Sequence, residues 1–220
     1  LGVEVVGADE LERVLAETKP DVLVDFTMAE AAVSNIKTAA KLKVPIVVGT
    51  TGFSTGQMEE IRSVVRNANI PALLAPNMSV GVNVFFKILS EMARILGKDY
   101  DVEVVEIHHR GKLDSPSGTA LKAAKIVAEE FGRGEGAVKI GRSAGKSKRG
   151  GEVCIHSIRV GDVVGEHTAI FAGPGERMEL THRAHSREAF AEGVIKAIRF
   201  LVKEGKPGAI LGMENVLGLK

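Results

Sequence analysis

A chain of 220 residues, 45% of them hydrophobic, has the apolar material for one large domain or two small ones. A net charge of +1 gives neither nucleic acid nor an anionic membrane surface an electrostatic hold, and no apolar run approaches the roughly 20 residues of a bilayer-spanning helix. The one cysteine, Cys154, has no partner for an internal disulfide; with no secretory-leader pattern at the start, the expectation is a cytoplasmic protein in which Cys154 is a small buried strand residue.

In chain order, residues 3–6 read as a short strand. Asp9 and Glu12 have capping-box spacing and predict a helix to about Thr18, broken by Pro20 and Asp21. Residues 22–26 form an apolar strand. Thr27 and Glu30 repeat the capping pattern ahead of an alanine-rich helix to Leu42. A strand at 44–48 ends in Gly49-Thr50-Thr51-Gly52, and a helix over 55–67 leads to a strand at 72–75. Strands and helices alternate, and the strands are apolar throughout. Such strands are expected to be covered on both faces, in a parallel sheet. Ligands of these sheets bind beyond the carboxyl ends of the strands. Residues 25–27, 49–52 and 75–78 all hold that position, which favours a shared ligand crevice over three unrelated turns.

An amphipathic helix over 79–96 follows, and the pattern then changes, which puts a domain boundary near Ser79. Val102, Val104, Val105 and Ile107 read as a buried strand. Residues 120–131 read as a helix. Residues 132–151 carry the cations Lys139, Arg142, Lys146, Lys148 and Arg149 among glycines and serines, and read as a solvated loop. No aromatic residues interleave with these cations, so base stacking has nothing to use, and nucleic acid is not an expected partner. Residues 153–160 alternate, Gly161-Asp162 is a turn, and 163–172 and 178–184 complete what reads as an antiparallel meander. A helix over 187–203 closes the chain, with Phe190, Val194, Ala197, Ile198 and Leu201 on one side.

The reactive side chains concentrate between the 102–107 strand and the following helix. His108 and His109 are adjacent in a strand-like context, so they point to opposite faces and chelate poorly together. No Cys-x-x-Cys or His-x-x-x-His spacing supports a metal, and none is expected. His156, His167, His182 and His185 read as hydrogen-bonded structural residues of the β region. His108, His109 and Lys112 leave the strand together, and Ser117-Gly118-Thr119 opens the next helix. A helix start favours a carboxylate or phosphate, and imidazole and amine groups move protons within hydrogen-bond reach. The stretch therefore reads as a proton-transfer and anion-binding site. Ser117 as a nucleophile is disfavoured, since the Gly-x-Ser-x-Gly elbow is missing.

Glu106, His108, His109, Lys112, Asp114, Pro116, Ser117, Gly118 and Thr119 follow a Glu-x-His-His-x-x-Lys-x-Asp-x-Pro-Ser-Gly-Thr pattern. This resembles the signature of the dihydrodipicolinate (4-hydroxy-tetrahydrodipicolinate) reductase family. The segments at 24–27, 48–52, 77–83, 159–168, 181–184, 186–187 and 190–191 follow in the family's order, so the resemblance runs the length of the chain. It implies an α/β fold: an incomplete Rossmann-like parallel sheet domain over 1–78, completed by 187–220, and an α+β substrate-binding and oligomerisation domain with a mixed sheet over 79–186. It implies an NAD(P)H-dependent oxidoreductase of the lysine (diaminopimelate) pathway, acting on a small cyclic dicarboxylate and assembling as a homotetramer through the second domain's sheet. By the same resemblance, His108 is proton donor or acceptor and Lys112 proton donor, while His109, Ser117, Gly118 and Thr119 hold the substrate. Gly49, Thr50, Thr51, Ala75, Pro76, Asn77 and Met78 would contact NADH or NADPH. The family opens with a strand, a Gly-x-x-Gly-x-x-Gly loop and a helix; Leu1 aligns past that unit. The expectation is a chain that begins partway into a longer polypeptide, a compromised cofactor site being the alternative. Two other readings stay open: a different NAD(P)-dependent reductase on the same plan, and a non-catalytic dicarboxylate-binding module.

Overall fold

The computed structural model describes residues 9–142 and 148–219, so the strand read at 3–6 and Lys146 lie outside the described residues. The chain divides into two units, Leu1–Val80 with Phe190–Lys220, and Gly81–Ala189.

The first unit holds the parallel strands β1 (Leu23–Asp25), β2 (Ile46–Val48), β3 (Ala72–Leu74) and β9 (Ile210–Leu211), side by side in that order. Helices α1 (Leu11–Thr18), α2 (Ala29–Lys41), α3 (Thr55–Ala68), α6 (Glu188–Glu204) and α7 (Met213–Val216) accompany them. The unbroken apolar run of β2 has a direct cause. Ile46 and Val48 pack with Ile36, Ile61 and Val65 of α2 and α3, while Val47 packs with Ala197, Leu201 and Met213 from α6 and α7. β1 departs from the expectation of two covered faces. It pairs only with β2 in the described sheet, and Val24 is 39% exposed. β9 has too little local pattern to be read from sequence; its pairing with β3 (Ala72↔Ile210) makes it a strand. Gly193 lets α6 approach the chain leaving β3, because a Cβ there would fall 1.8 Å from the Met78 carbonyl oxygen.

Neither predicted capping box forms. α1 starts after Glu10 and α2 after Met28, both without a side-chain cap. The Thr27 hydroxyl is drawn instead to Asp25 Oδ1, 3.0 Å away. The reciprocal box is at α3, where Ser54 Oγ accepts from the Gln57 N–H (3.2 Å) and Gln57 Oε1 from the Ser54 N–H (2.8 Å).

The second unit packs α4 (Val80–Leu96) and α5 (Gly118–Glu130) on one face of a mixed sheet. Its strands are β4 (Asp101–His108), β5 (Val138–Ile140), β6 (Val153–Arg159), β7 (Gly165–Gly173) and β8 (Glu176–Ala184), in the order β5-β6-β4-β7-β8. The meander reading is corrected here. Only β7 and β8 form an antiparallel hairpin, while β4 lies between β6 and β7, parallel to the first and antiparallel to the second. The 132–151 segment is also not wholly a solvated loop. It contains β5 on the sheet edge, Arg142 pairs with Glu152 (2.7 Å), and Arg149 pairs with Asp101 (2.8 Å) and Glu103. Cys154 is buried on β6.

β4, a buried strand by its β-branched run, buries alternate residues. Val102, Val104, Glu106 and His108 face inward, and the intervening residues are half-buried or exposed. Across the sheet, Ile155, Val104, Ala169 and Leu180 form one inward row. Two residues on, the row becomes Ser157, Glu106, His167 and His182. The inward face thus changes from apolar to polar within a single strand pleat, toward the carboxyl end of β4.

Candidate active site

Glu106 is fully buried, yet each carboxylate oxygen has donors. Arg159 reaches across from β6 in a fork, Nη1 donating to Oε2 and Nη2 to Oε1, both at 2.8 Å. The Ser117 N–H donates to Oε1 at 3.1 Å, and His108 Nδ1 bonds Oε2. Burial alone would raise the Glu106 pKa, but the Arg159 guanidinium, with His108 and the Ser117 amide, holds it down at about 2. The carboxylate is therefore ionised at neutral pH and can only accept, so the His108 proton sits on Nδ1.

His108 is 8% exposed. Burial pushes its pKa down; Glu106 opposes this, and the cations Lys112 and Arg159 add to it. The neutral ring leaves Nε2 as its available nitrogen. A Cβ on Gly165 would lie 3.0 Å from that atom, so glycine leaves the space that Nε2 faces. The chain beyond β4 is tied down by Val160 N–H to the His108 carbonyl (2.9 Å) and Arg110 N–H to the Gly161 carbonyl (3.1 Å). Arg159 Nη2 also donates to the Asp114 carbonyl (2.6 Å), and Lys112 Nζ pairs with Asp114 Oδ1 at 2.7 Å.

Ser117 is the N-cap of α5, its Oγ accepting from the Ala120 N–H at 3.2 Å and lying 3.1 Å from His167 Nε2. It is 3% exposed and fully engaged inside the protein. Gly118 is exposed, with open space where a side chain would stand, and Thr119 and His109 are half-buried. Of the residues singled out from sequence, the structure brings His108 and Ser117 onto one carboxylate and lets the Lys112 charge act on His108. Glu106 and Arg159 have no assigned role in the sequence reading, and His167 reads there only as a hydrogen-bonded structural residue. Glu106 had a local signal, an acid two residues before a histidine on a strand, hence on the same face. Arg159 and His167 had none.

In the first unit, the carboxyl ends of β1, β2 and β3 are organised by Asp25, 3% exposed. Its Oδ1 accepts from Thr50 Oγ1 (2.7 Å), Thr27 Oγ1 (3.0 Å) and the Thr27 N–H (3.0 Å), and its Oδ2 from Asn35 Nδ2 (2.7 Å). Burial would raise the Asp25 pKa, but these donors hold it below the usual value. Thr50 is turned inward, while Thr51 is exposed and Gly49 half-buried. A Cβ on Gly49 would fall 2.0 Å from the Phe26 ring, which is 56% exposed. Of 75–78, Ala75 and Met78 are buried in the core, whereas Pro76 is exposed and Asn77 half-buried. An exposed aromatic ring over a glycine, beside threonine hydroxyl and backbone groups at parallel strand ends, fits the ring-bearing end of a nicotinamide dinucleotide. Among the described residues, no group of three or more His, Cys, Asp or Glu is arranged to hold a metal ion.

A parallel α/β unit with such strand ends, and an α+β unit with a buried imidazole–carboxylate pair beside a helix start, are the parts of a two-unit reductase. Comparison with known proteins gives the particular family. The family model described as dihydrodipicolinate reductase, N-terminus, matches residues 1–78, and that described as dihydrodipicolinate reductase, C-terminus, matches residues 81–217. The chain belongs to the dihydrodipicolinate reductase family. It is 52% identical to the 4-hydroxy-tetrahydrodipicolinate reductase of Methanothermobacter thermautotrophicus over 221 residues, covering 100% of this chain and 80% of the relative. The Methanocaldococcus jannaschii protein of the same name is also 52% identical, over 223 residues, covering 100% of this chain and 79% of the relative. A solved dipicolinate-bound dihydrodipicolinate reductase from Paenisporosarcina sp. TG-14 matches with a TM-score of 0.74 at 29% identity, covering 93% of this chain and 77% of that one.

The depressed Glu106 pKa makes the site a source of acid sensitivity. Because the folded value lies below the ordinary 4.5, its stabilisation is complete above that pH and is lost as pH falls through about 2. Urea denaturation of Glu106→Gln is expected to show lower stability at neutral pH and a smaller further loss between pH 4.5 and 2 than wild type. Equal losses in the two proteins over that window would contradict the assignment.

Proposed function

We propose that this chain reduces a cyclic dicarboxylate of the dihydrodipicolinate type to tetrahydrodipicolinate, in the lysine (diaminopimelate) pathway, with NADH or NADPH as reductant. The observation that carries the reading is the ionised, buried Glu106 holding His108 with Nε2 available, on the same carboxylate that anchors the start of α5. Reduction of one ring double bond consumes a hydride and a proton. When bound, the reduced nicotinamide supplies the hydride, which no side chain carries. Gly49, Thr51, Pro76 and Asn77 are the strand-end residues that would hold it; Thr50, Ala75 and Met78 shape the segments from beneath. The proton is this chain's task. The Lys112 ammonium group, steadied by Asp114, has protons to give, and the neutral His108 ring accepts or relays one at Nε2. Gly118 and Thr119, at the start of the 13-residue helix α5, receive a substrate carboxylate on backbone N–H groups and the positive end of the helix dipole. His109 lies on the loop that leads from β4 to α5 and would hold the substrate from there. Ser117 acts from beneath, as the cap that sets this turn.

The outward face of the second unit's sheet supports assembly as a homotetramer. Val105, Ile107 and Ile170 are only half-buried there and Ile158 is 43% exposed, apolar side chains set among Glu103, His156 and Glu166 that further copies would cover. The same reading makes the enzyme cytoplasmic, where Cys154 stays reduced. Light scattering is expected to give four times the chain mass, and a monomer mass would remove the assembly from the account.

In an assay that follows nicotinamide absorbance, His108→Ala and Lys112→Ala are each expected to lower kcat by roughly a hundredfold or more, the scale of losing a general acid or base. Turnover within a fewfold of wild type in both variants would take these residues out of the mechanism.

A further inference from the structure

His167 is buried, 4% exposed, on the inward face of β7. It sits across from Glu106 on β4 and across from His182 on β8. It touches two parts of the site. Its Nε2 lies 3.1 Å from Ser117 Oγ, and its ring meets that of His108 edge to face, centroids 5.1 Å apart and planes at 74°. Its Nδ1 is buried without a hydrogen-bond partner among the described residues. Burial first, then the neighbouring His108, pushes its pKa down to about 3, so the ring is neutral and makes no ion pair.

For stability alone this is a poor choice of side chain. A buried imidazole with one nitrogen unsatisfied costs more than an apolar ring of similar size. What the imidazole adds over a phenyl ring is its bond to Ser117. Ser117 in turn caps α5 through Ala120 and receives its own anchor from Glu106. One ring therefore spans the helix start and the proton-transfer imidazole.

We propose that His167 is a positioning residue, which through Ser117 fixes the first turn of α5, where a substrate carboxylate is received, at a set distance from His108. The inference rests on the reading of Gly118 and Thr119 as the carboxylate seat. It assigns His167 no contact with substrate.

The test is calorimetric titration with pyridine-2,6-dicarboxylate of the wild type, His167→Phe, His167→Gln, Ser117→Ala and the His167→Phe/Ser117→Ala double variant, each with its thermal melt. The phenyl ring keeps the packing on His108 and loses the bond. His167→Phe is expected to melt within a few degrees of wild type while binding the dicarboxylate roughly tenfold more weakly, the scale of one lost positioning hydrogen bond. His167→Gln, whose amide can reach Ser117, is expected to recover most of that affinity even where its melt is lower. The double variant is expected to bind no more weakly than the weaker single one, since both remove the same link. Wild-type affinity in His167→Phe, whatever its melt, or additive losses in the double variant would overturn the positioning role. A wild type that does not bind the dicarboxylate would overturn the carboxylate seat itself, and the role with it.

Discussion

A carboxylate with no exposure to water holds this site together. Burying an ion costs several kcal/mol unless its lone pairs are met, and at Glu106 they are met by Arg159 from β6, His108 from its own strand and the Ser117 amide from the start of α5. Each partner is placed by the need to satisfy that charge. His108 must keep its proton on Nδ1, which determines the nitrogen it offers. Ser117 must stand at one position, which determines where α5 begins. Arg159 must stay forked, and its Nη2 then holds the Asp114 carbonyl in the loop that carries Lys112. Lys112, the farthest component of the proton-transfer site, is linked to Glu106 through Asp114 and Arg159.

The sheet makes this possible by letting one strand serve two purposes. The first half of β4 contributes Val102 and Val104 to the core under α4 and α5, and the second half extends the same inward line with Glu106 and His108. Because β4 is paired on both sides, the polar row borrows Ser157 from one neighbour and His167 from the other. The first unit uses a related device. Asp25 is also a buried carboxylate at the carboxyl end of a strand, but its donors are two threonine hydroxyls, a backbone amide and the Asn35 amide. Among the described residues, no cation or imidazole is bonded to it. Glu106 therefore tunes a titratable ring, whereas Asp25 holds chain segments in place.

What could be read from sequence was local. The parallel strands showed as apolar runs because β2 is packed on both faces, and the strand–turn–helix context of His108, Lys112 and Ser117 lies within a dozen residues. What escaped needed pairing across distance. Arg159 reaches Glu106 from 53 residues away and His167 reaches Ser117 from 50. Both lie in the family-like segment 159–168, but nothing local ties either residue to Glu106 or Ser117. The meander reading failed for the same reason: adjacency along the chain suggested that β6 and β7 pair, and only the insertion of β4 separates them. The capping signals at Asp9 and Thr27 were local too, yet they misled. At Thr27 a competing local acceptor, Asp25 two residues back, took the hydroxyl that the pattern assigned to the helix.

The central claim concerns one proton. NMR of protein carrying isotope-labelled histidine nitrogens, read near neutral pH and assigned with a His108 variant, reports which ring nitrogen bears it. The account requires a neutral His108 with hydrogen on Nδ1 and a bare Nε2. A His108 protonated on Nε2 alone would mean that Glu106 does not set the ring, and the arrangement described for proton transfer would be wrong.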